Sequence, residues 1–126
     1  MAIKFPFFRQ LDYMDCGPTC LKMIASYYGK DCSLDFLRSH SYITRSGVNL
    51  LGLSEAAEQI GLKTLAVKID FRQLVEEVPL PCILHWNQEH FVVLYKVKPR
   101  GRLFRAAAPE YKLVVADPGH GLVVIN

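Results

Sequence analysis

The sequence has no Cys-x-x-Cys pair, no run near the ~18 apolar residues of a membrane span, and no internal repeat or low-complexity linker. Each absence removes a class of protein. Its four cysteines, Cys16, Cys20, Cys32 and Cys82, fall in no compact Cys/His motif. Cys16 and Cys20 can share a helix face, but a zinc site needs two further ligands at suitable spacing. No metal and no cofactor is therefore expected. The start, Met1 to Leu11, lacks the apolar stretch and small-residue cleavage site of a secretory signal. Reduced thiols and a cytoplasmic setting follow as expectations. Charge bias is also slight: 15 Lys and Arg against 12 Asp and Glu, or +3. That balance gives no reason to expect a nucleic-acid partner. The basic residues Lys96, Lys98, Arg100, Arg102 and Arg105 read as the solvated tip of a hairpin. Without a linker, residues 1–126 are expected to form one domain.

Apolar residues make up 51% of the 126 positions, enough for a core without staples. The first half reads helical. Residues 17–28 predict a helix with Pro18 in its first turn, Gly29 as its stop, and Leu21, Ile24, Ala25 and Tyr28 on one stripe. Further helices are expected from Ser33 or Asp35 through Arg38, over 50–59, and over 71–76 behind an Asp70 cap. From about residue 62, β-branched and aromatic runs predict strands over 63–69, 82–86, 90–98, 112–117 and 122–125. Helices first and antiparallel strands later indicate an α+β domain.

Cys16 stands immediately before the Gly-Pro helix start, where the helix dipole and unpaired N–H groups favour a thiolate. Its pKa is expected below the ordinary value. A buried structural thiol is the competing role. Among the histidines, His40 lies in a polar loop and His120 in a Pro-Gly-His-Gly turn. His85 and His90 flank the Trp86–Glu89 turn, and His90 opens the run Phe91–Tyr95. If 90–96 and 111–117 pair antiparallel with Lys96 opposite Tyr111, then His90 falls opposite Asp117, with a slip of one or two residues left open by the alignment. An imidazole and a carboxylate then meet at one sheet edge. Asp117 also precedes Pro118-Gly119, which suits a turn. A thiolate nucleophile, an imidazole base and an orienting carboxylate are the parts of acyl transfer. The backbone N–H of Cys16 and the Gln10 side-chain amide are candidate oxyanion donors.

Three blocks carry a resemblance: Gln10-Leu-Asp-Tyr-Met-Asp-Cys16-Gly-Pro-Thr-Cys20-Leu21, then His85-Trp-Asn-Gln-Glu-His90-Phe-Val-Val-Leu94, then Ala116-Asp-Pro-Gly119 with Gly121. In this order they resemble the N-terminal peptidase domain of bacteriocin-processing ABC transporters, the double-glycine leader peptidases, over nearly the whole chain. The resemblance implies a papain-like fold. Cys16 is similar to the nucleophile, His90 to the base, Asp117 to the orienting acid and Gln10 to the oxyanion donor. It implies cleavage of a leader from a ribosomally made precursor peptide after a double-glycine-type pair. It also implies attachment to transmembrane and ATPase domains at the cytoplasmic face of the bacterial inner membrane. The chain is then expected to be a peptidase domain of a longer transporter, or a stand-alone relative. A docking domain that binds the leader without cleaving it, and a metal or redox protein using the four thiols, are the alternatives. Tyr13, Met14 and Trp86 lie near the motif blocks as candidates for lining the cleft. The segment Arg105-Ala-Ala-Ala-Pro109 is longer than a minimal hairpin needs.

Overall fold

A computed structural model describes residues 5–11, 15–41, 49–86, 90–99 and 111–125. Among the described residues, four helices precede four strands: α1 (Cys16–Tyr27), α2 (Leu34–His40), α3 (Leu50–Gln59), α4 (Phe71–Glu76), β1 (Cys82–Trp86), β2 (His90–Pro99), β3 (Tyr111–Asp117) and β4 (Gly121–Ile125). The α+β expectation holds. No helix among the described residues is long and apolar enough to cross a membrane.

Local chemistry sets the helix ends. α1 stops at Gly29, whose φ of 81° is open to a residue without a Cβ. Gly29 N–H then donates to Ser26 O and Lys30 N–H to Ala25 O, satisfying carbonyls of the last turn. Ser33 caps α2 by accepting Phe36 N–H, and Asn49 caps α3 by accepting Gly52 N–H. α4 opens with a reciprocal pair between Asp70 and Gln73. The α1 stripe differs by a residue or two from expectation: Tyr28 is exposed, while Cys20 and Met23 are fully buried beside Leu21 and Ala25.

α2 and α3 meet through Gly52. A Cβ there would fall onto the Ser41 carbonyl, 2.8 Å from its carbon, so only glycine permits this approach. α1 packs mainly on β2.

The strands form an antiparallel sheet in the order β1-β2-β3-β4. Its two faces bury different sets. Phe91, Val93 and Ala116 join Cys20, Leu21, Met23, Ile24 and Leu53 under the helices. Val92, Leu94, Leu113 and Val115 pack on the other face with Leu74 and Val75 of α4. Each such side chain removed from water contributes roughly 1.5–3 kcal/mol before entropy is counted. The β2–β3 ladder slips between Leu94 and Lys96, leaving Tyr95 as an extra residue whose ring stacks on Phe5 at 4.4 Å.

Two expectations need correction. No strand forms over 63–69. That segment is almost wholly exposed, with Leu65 at 85%, and strand preference is realised only against a neighbouring strand. The β2–β3 register also differs. Val93 faces Ala116 rather than Val114, a slip of two residues, and beyond Tyr95 Lys96 faces Val114 rather than Tyr111. Tyr13, Met14, the Trp86 side chain and 105–109 lie outside the described residues.

Candidate active site

The structure gathers Cys16, His90, Asp117 and Gln10 from four stretches of chain at one end of the sheet. Cys16 is the first residue of α1 and 5% exposed. Asp15, the residue before the helix, makes no side-chain cap bond. Its carboxylate is buried and meets Arg38 Nε of α2 at 2.8 Å, which ties the approach to Cys16 onto the neighbouring helix.

The Cys16 sulfur lies where the backbone N–H groups of Phe91, Gly17 and Cys16 itself can donate to it. The Phe91 contact sets the thiol beside the start of β2, next to His90. Burial pushes the Cys16 thiol up; the three N–H groups pull it back and the negative Asp117 pushes it further. The net direction is above the ordinary value, which corrects the expectation of a lowered pKa. Burial of the sulfur thus works against a stored thiolate. Cys20, one turn on and without exposure, is pushed well up by burial and then by Cys16 and Asp117. Cys82 is pushed up to about 11 by burial. None of the four cysteines is in a disulfide.

His90 opens β2 and Asp117 closes β3. His90 Nε2 and Asp117 Oδ1 are 2.7 Å apart. Despite the register slip, a shift of two residues keeps both side chains on the same face, so they meet as diagonal neighbours. The other oxygen, Oδ2, lies 3.1 Å from His120 Nδ1, and Gly119 N–H donates to Oδ1 at 2.9 Å across the turn. Burial pushes the Asp117 carboxyl up, but the His90 hydrogen bond, the Gly119 N–H and the charges of both histidines outweigh it. Asp117 thus stays ionised below the usual carboxylate range.

Gln10 N–H donates to Pro118 O at 2.9 Å, and Arg9 reaches Gly119 O at 3.3 Å. A Cβ on Gly119 would stand 3.4 Å from Gln10 Oε1, so the glutamine side chain lies along the turn that follows Asp117. The remaining histidines are elsewhere. His40 Nδ1 pairs with Phe36 O inside α2, and His85 stacks on Phe91 at 4.4 Å. His120 is the site residue that sequence reasoning set aside. Its signal was the three-residue spacing from Asp117 through a Pro-Gly turn, which folds its ring back on the carboxylate.

Residues 4–126 match the model of the peptidase C39 family. The colicin V secretion/processing ATP-binding protein CvaB of Escherichia coli is 33% identical over 98% of this chain and 16% of its own length. The pediocin PA-1 transport/processing ATP-binding protein PedD of Pediococcus acidilactici is 35% identical over 86% of this chain and 14% of its own. The chain therefore spans about a sixth of these curated relatives. Among solved structures, a double glycine motif protease from an AMS/PCAT transporter, in complex with the leader peptide, is 31% identical. It superposes with a TM-score of 0.80 over 97% of this chain and 79% of that one. The peptidase domain of Streptococcus ComA is 27% identical, with a TM-score of 0.78 over 98% and 87%. This chain belongs to the peptidase C39 family.

Proposed function

We propose that this chain is a cysteine endopeptidase that removes the leader from a ribosomally made, bacteriocin-like precursor after a double-glycine-type pair. It would work attached to the transmembrane and ATPase domains of an ABC transporter, on the cytoplasmic side of the membrane. The observation that carries the reading is the 2.7 Å His90–Asp117 contact beside a helix-start cysteine. Similarity to a double glycine motif protease held with its leader peptide supports the substrate class.

The 2.7 Å contact to Asp117 supports different tasks for the two ring nitrogens. Asp117 accepts the Nε2 proton, so the neutral imidazole keeps its lone pair on Nδ1. Nδ1 takes the proton of Cys16 as sulfur attacks the carbonyl carbon. Burial disfavours a stored ion pair, so in this reading attack and proton transfer belong to one step. The imidazolium is stabilised by the ionised Asp117. The Cys16 N–H and the Gln10 amide would receive the oxyanion. His90 then protonates the leaving amine, and water attacks the thioester with His90 again as base. Glycine on the leader side of the bond lets the substrate backbone approach closely where a side chain would clash. No cofactor is required.

Incubation with a panel of double-glycine leader peptides, read by mass spectrometry, tests the reading. Cleavage after the glycine pair is expected, with Cys16→Ala and His90→Ala both folded and inactive. Cleavage at an undiminished rate by Cys16→Ala would end the assignment. Tight peptide binding with no turnover by the unaltered chain would instead identify a docking domain.

A further inference from the structure

Asp117 serves two imidazoles at once, one on each oxygen. One ligand atom from each of His90, Asp117 and His120 lies within 4.8 Å of the others, the one such group of His, Cys, Asp or Glu found among the described residues. The two rings are 6.2 Å apart at 89°, converging on the carboxylate rather than stacking. Two imidazoles and a carboxylate, with a position left for water, are a donor set suited to zinc and similar borderline ions. The ligands also differ in freedom. His90 and Asp117 end adjacent strands and are 27% and 16% exposed, whereas His120 sits on the turn at 75%. The loosely held ring can therefore swing in and bring the donors to the ~3.3 Å spacing that a tetrahedral ion with ~2.0 Å bonds demands, without repacking the core.

We propose that a divalent transition-metal ion of the zinc class binds across His90 Nε2, an Asp117 carboxylate oxygen and His120 Nδ1, with water as fourth ligand, and switches the site off. The ion takes the Nε2 lone pair, so the single proton of the neutral ring passes through solvent from Nε2 to Nδ1 and none is lost overall. The neutral ring then carries its one proton on Nδ1. That nitrogen becomes a donor and cannot accept the proton of Cys16. The sulfur contributes no bond, so the ion acts from behind the base. The inhibitory half of this inference rests on the peptidase reading; the binding half does not.

Zinc titrated calorimetrically into the Cys16→Ala chain tests the binding half. About one equivalent should bind. Cobalt in the same site should show tetrahedral d–d absorption without a thiolate charge-transfer band. His120→Ala and the shape-conserving His120→Gln should each weaken zinc binding at least about tenfold, since losing even an outer-shell partner of a metal ligand costs that much. In the Cys16-intact chain, zinc should stop leader cleavage, and His120→Ala should raise the half-inhibiting concentration by the same factor, relative to the metal-free rate of each protein. Loss of binding in Cys16→Ala would place the ion on the thiol and overturn the site. So would unchanged affinity in both His120 variants. A chain that cleaves no leader sinks the peptidase reading and the inhibition with it, while the calorimetry still decides whether the three-residue site exists.

Discussion

Raising the pH should switch on the reactivity of Cys16 gradually, and that profile separates a neutral resting thiol from a stored thiolate–imidazolium pair. A thiol with an ordinary pKa of about 8.5 is about 3% ionised at pH 7. Burial moves Cys16 above its ordinary value, Asp117 adds to the shift, and the N–H groups of Phe91, Gly17 and Cys16 offset only part of it. The thiolate fraction at pH 7 is then below that of an ordinary thiol, and it rises about tenfold per pH unit up to the inflection. Iodoacetamide labelling, quenched in time and read peptide by peptide by mass spectrometry, follows each cysteine separately. The Cys16 rate should climb about tenfold per unit from pH 6 past pH 8.5. Access to the sulfur limits the absolute rate equally at every pH, so the slope carries the argument. Cys20, without exposure, should stay unlabelled while the protein is folded. A Cys16 rate that is flat from pH 5 to pH 8 would refute the reasoning, because it requires a thiolate already formed in acid.

Gly52→Ala should force α2 and α3 apart at the Ser41 carbonyl. Overpacking of this kind costs about 1–3 kcal/mol, or a fall of roughly 4–10 °C in Tm for a domain of this size; an unchanged melt by circular dichroism would show slack between the helices. Asp117 also makes stability depend on acidity. Its folded pKa lies below the unfolded value of about 3.9, so in that window the unfolded chain binds more protons. The contribution is complete above the unfolded value and is lost as pH falls through the folded one. Urea midpoints between pH 2.5 and 5 should therefore drop less in Asp117→Asn than in the unaltered chain; equal slopes would place the acid sensitivity elsewhere.

The helix ends were legible because their causes are local: Asp70, Ser33 and Gly29 act on neighbours within four residues. The His90–Asp117 meeting was legible for a different reason. Aligning two β-runs gave a register wrong by two, yet an even slip preserves which face a side chain occupies. Where the sequence misled, the missing quantity was non-local. Lys63 to Ile69 has the composition of a strand, but composition does not say whether another strand lies alongside. The thiol shift was read with the wrong sign because a helix start advertises its N–H donors, while the burial that outweighs them is set by the sheet and helices together. His120 reads in the sequence only as part of a Pro-Gly-His-Gly turn, although its anchor lies three positions upstream.

The extra residue at Tyr95 gives the two halves of β2 separate obligations. On one side, Trp86 opposite His90 and Ala116 opposite Val93 hold the end that carries His90 and Asp117. On the other, Lys96 to Pro99 follow an offset of their own against β3. Insertions or deletions in the connection between these strands can therefore be absorbed by the distal arm alone. A change in the length of that arm leaves the 2.7 Å His90–Asp117 contact at the other end of the strand untouched.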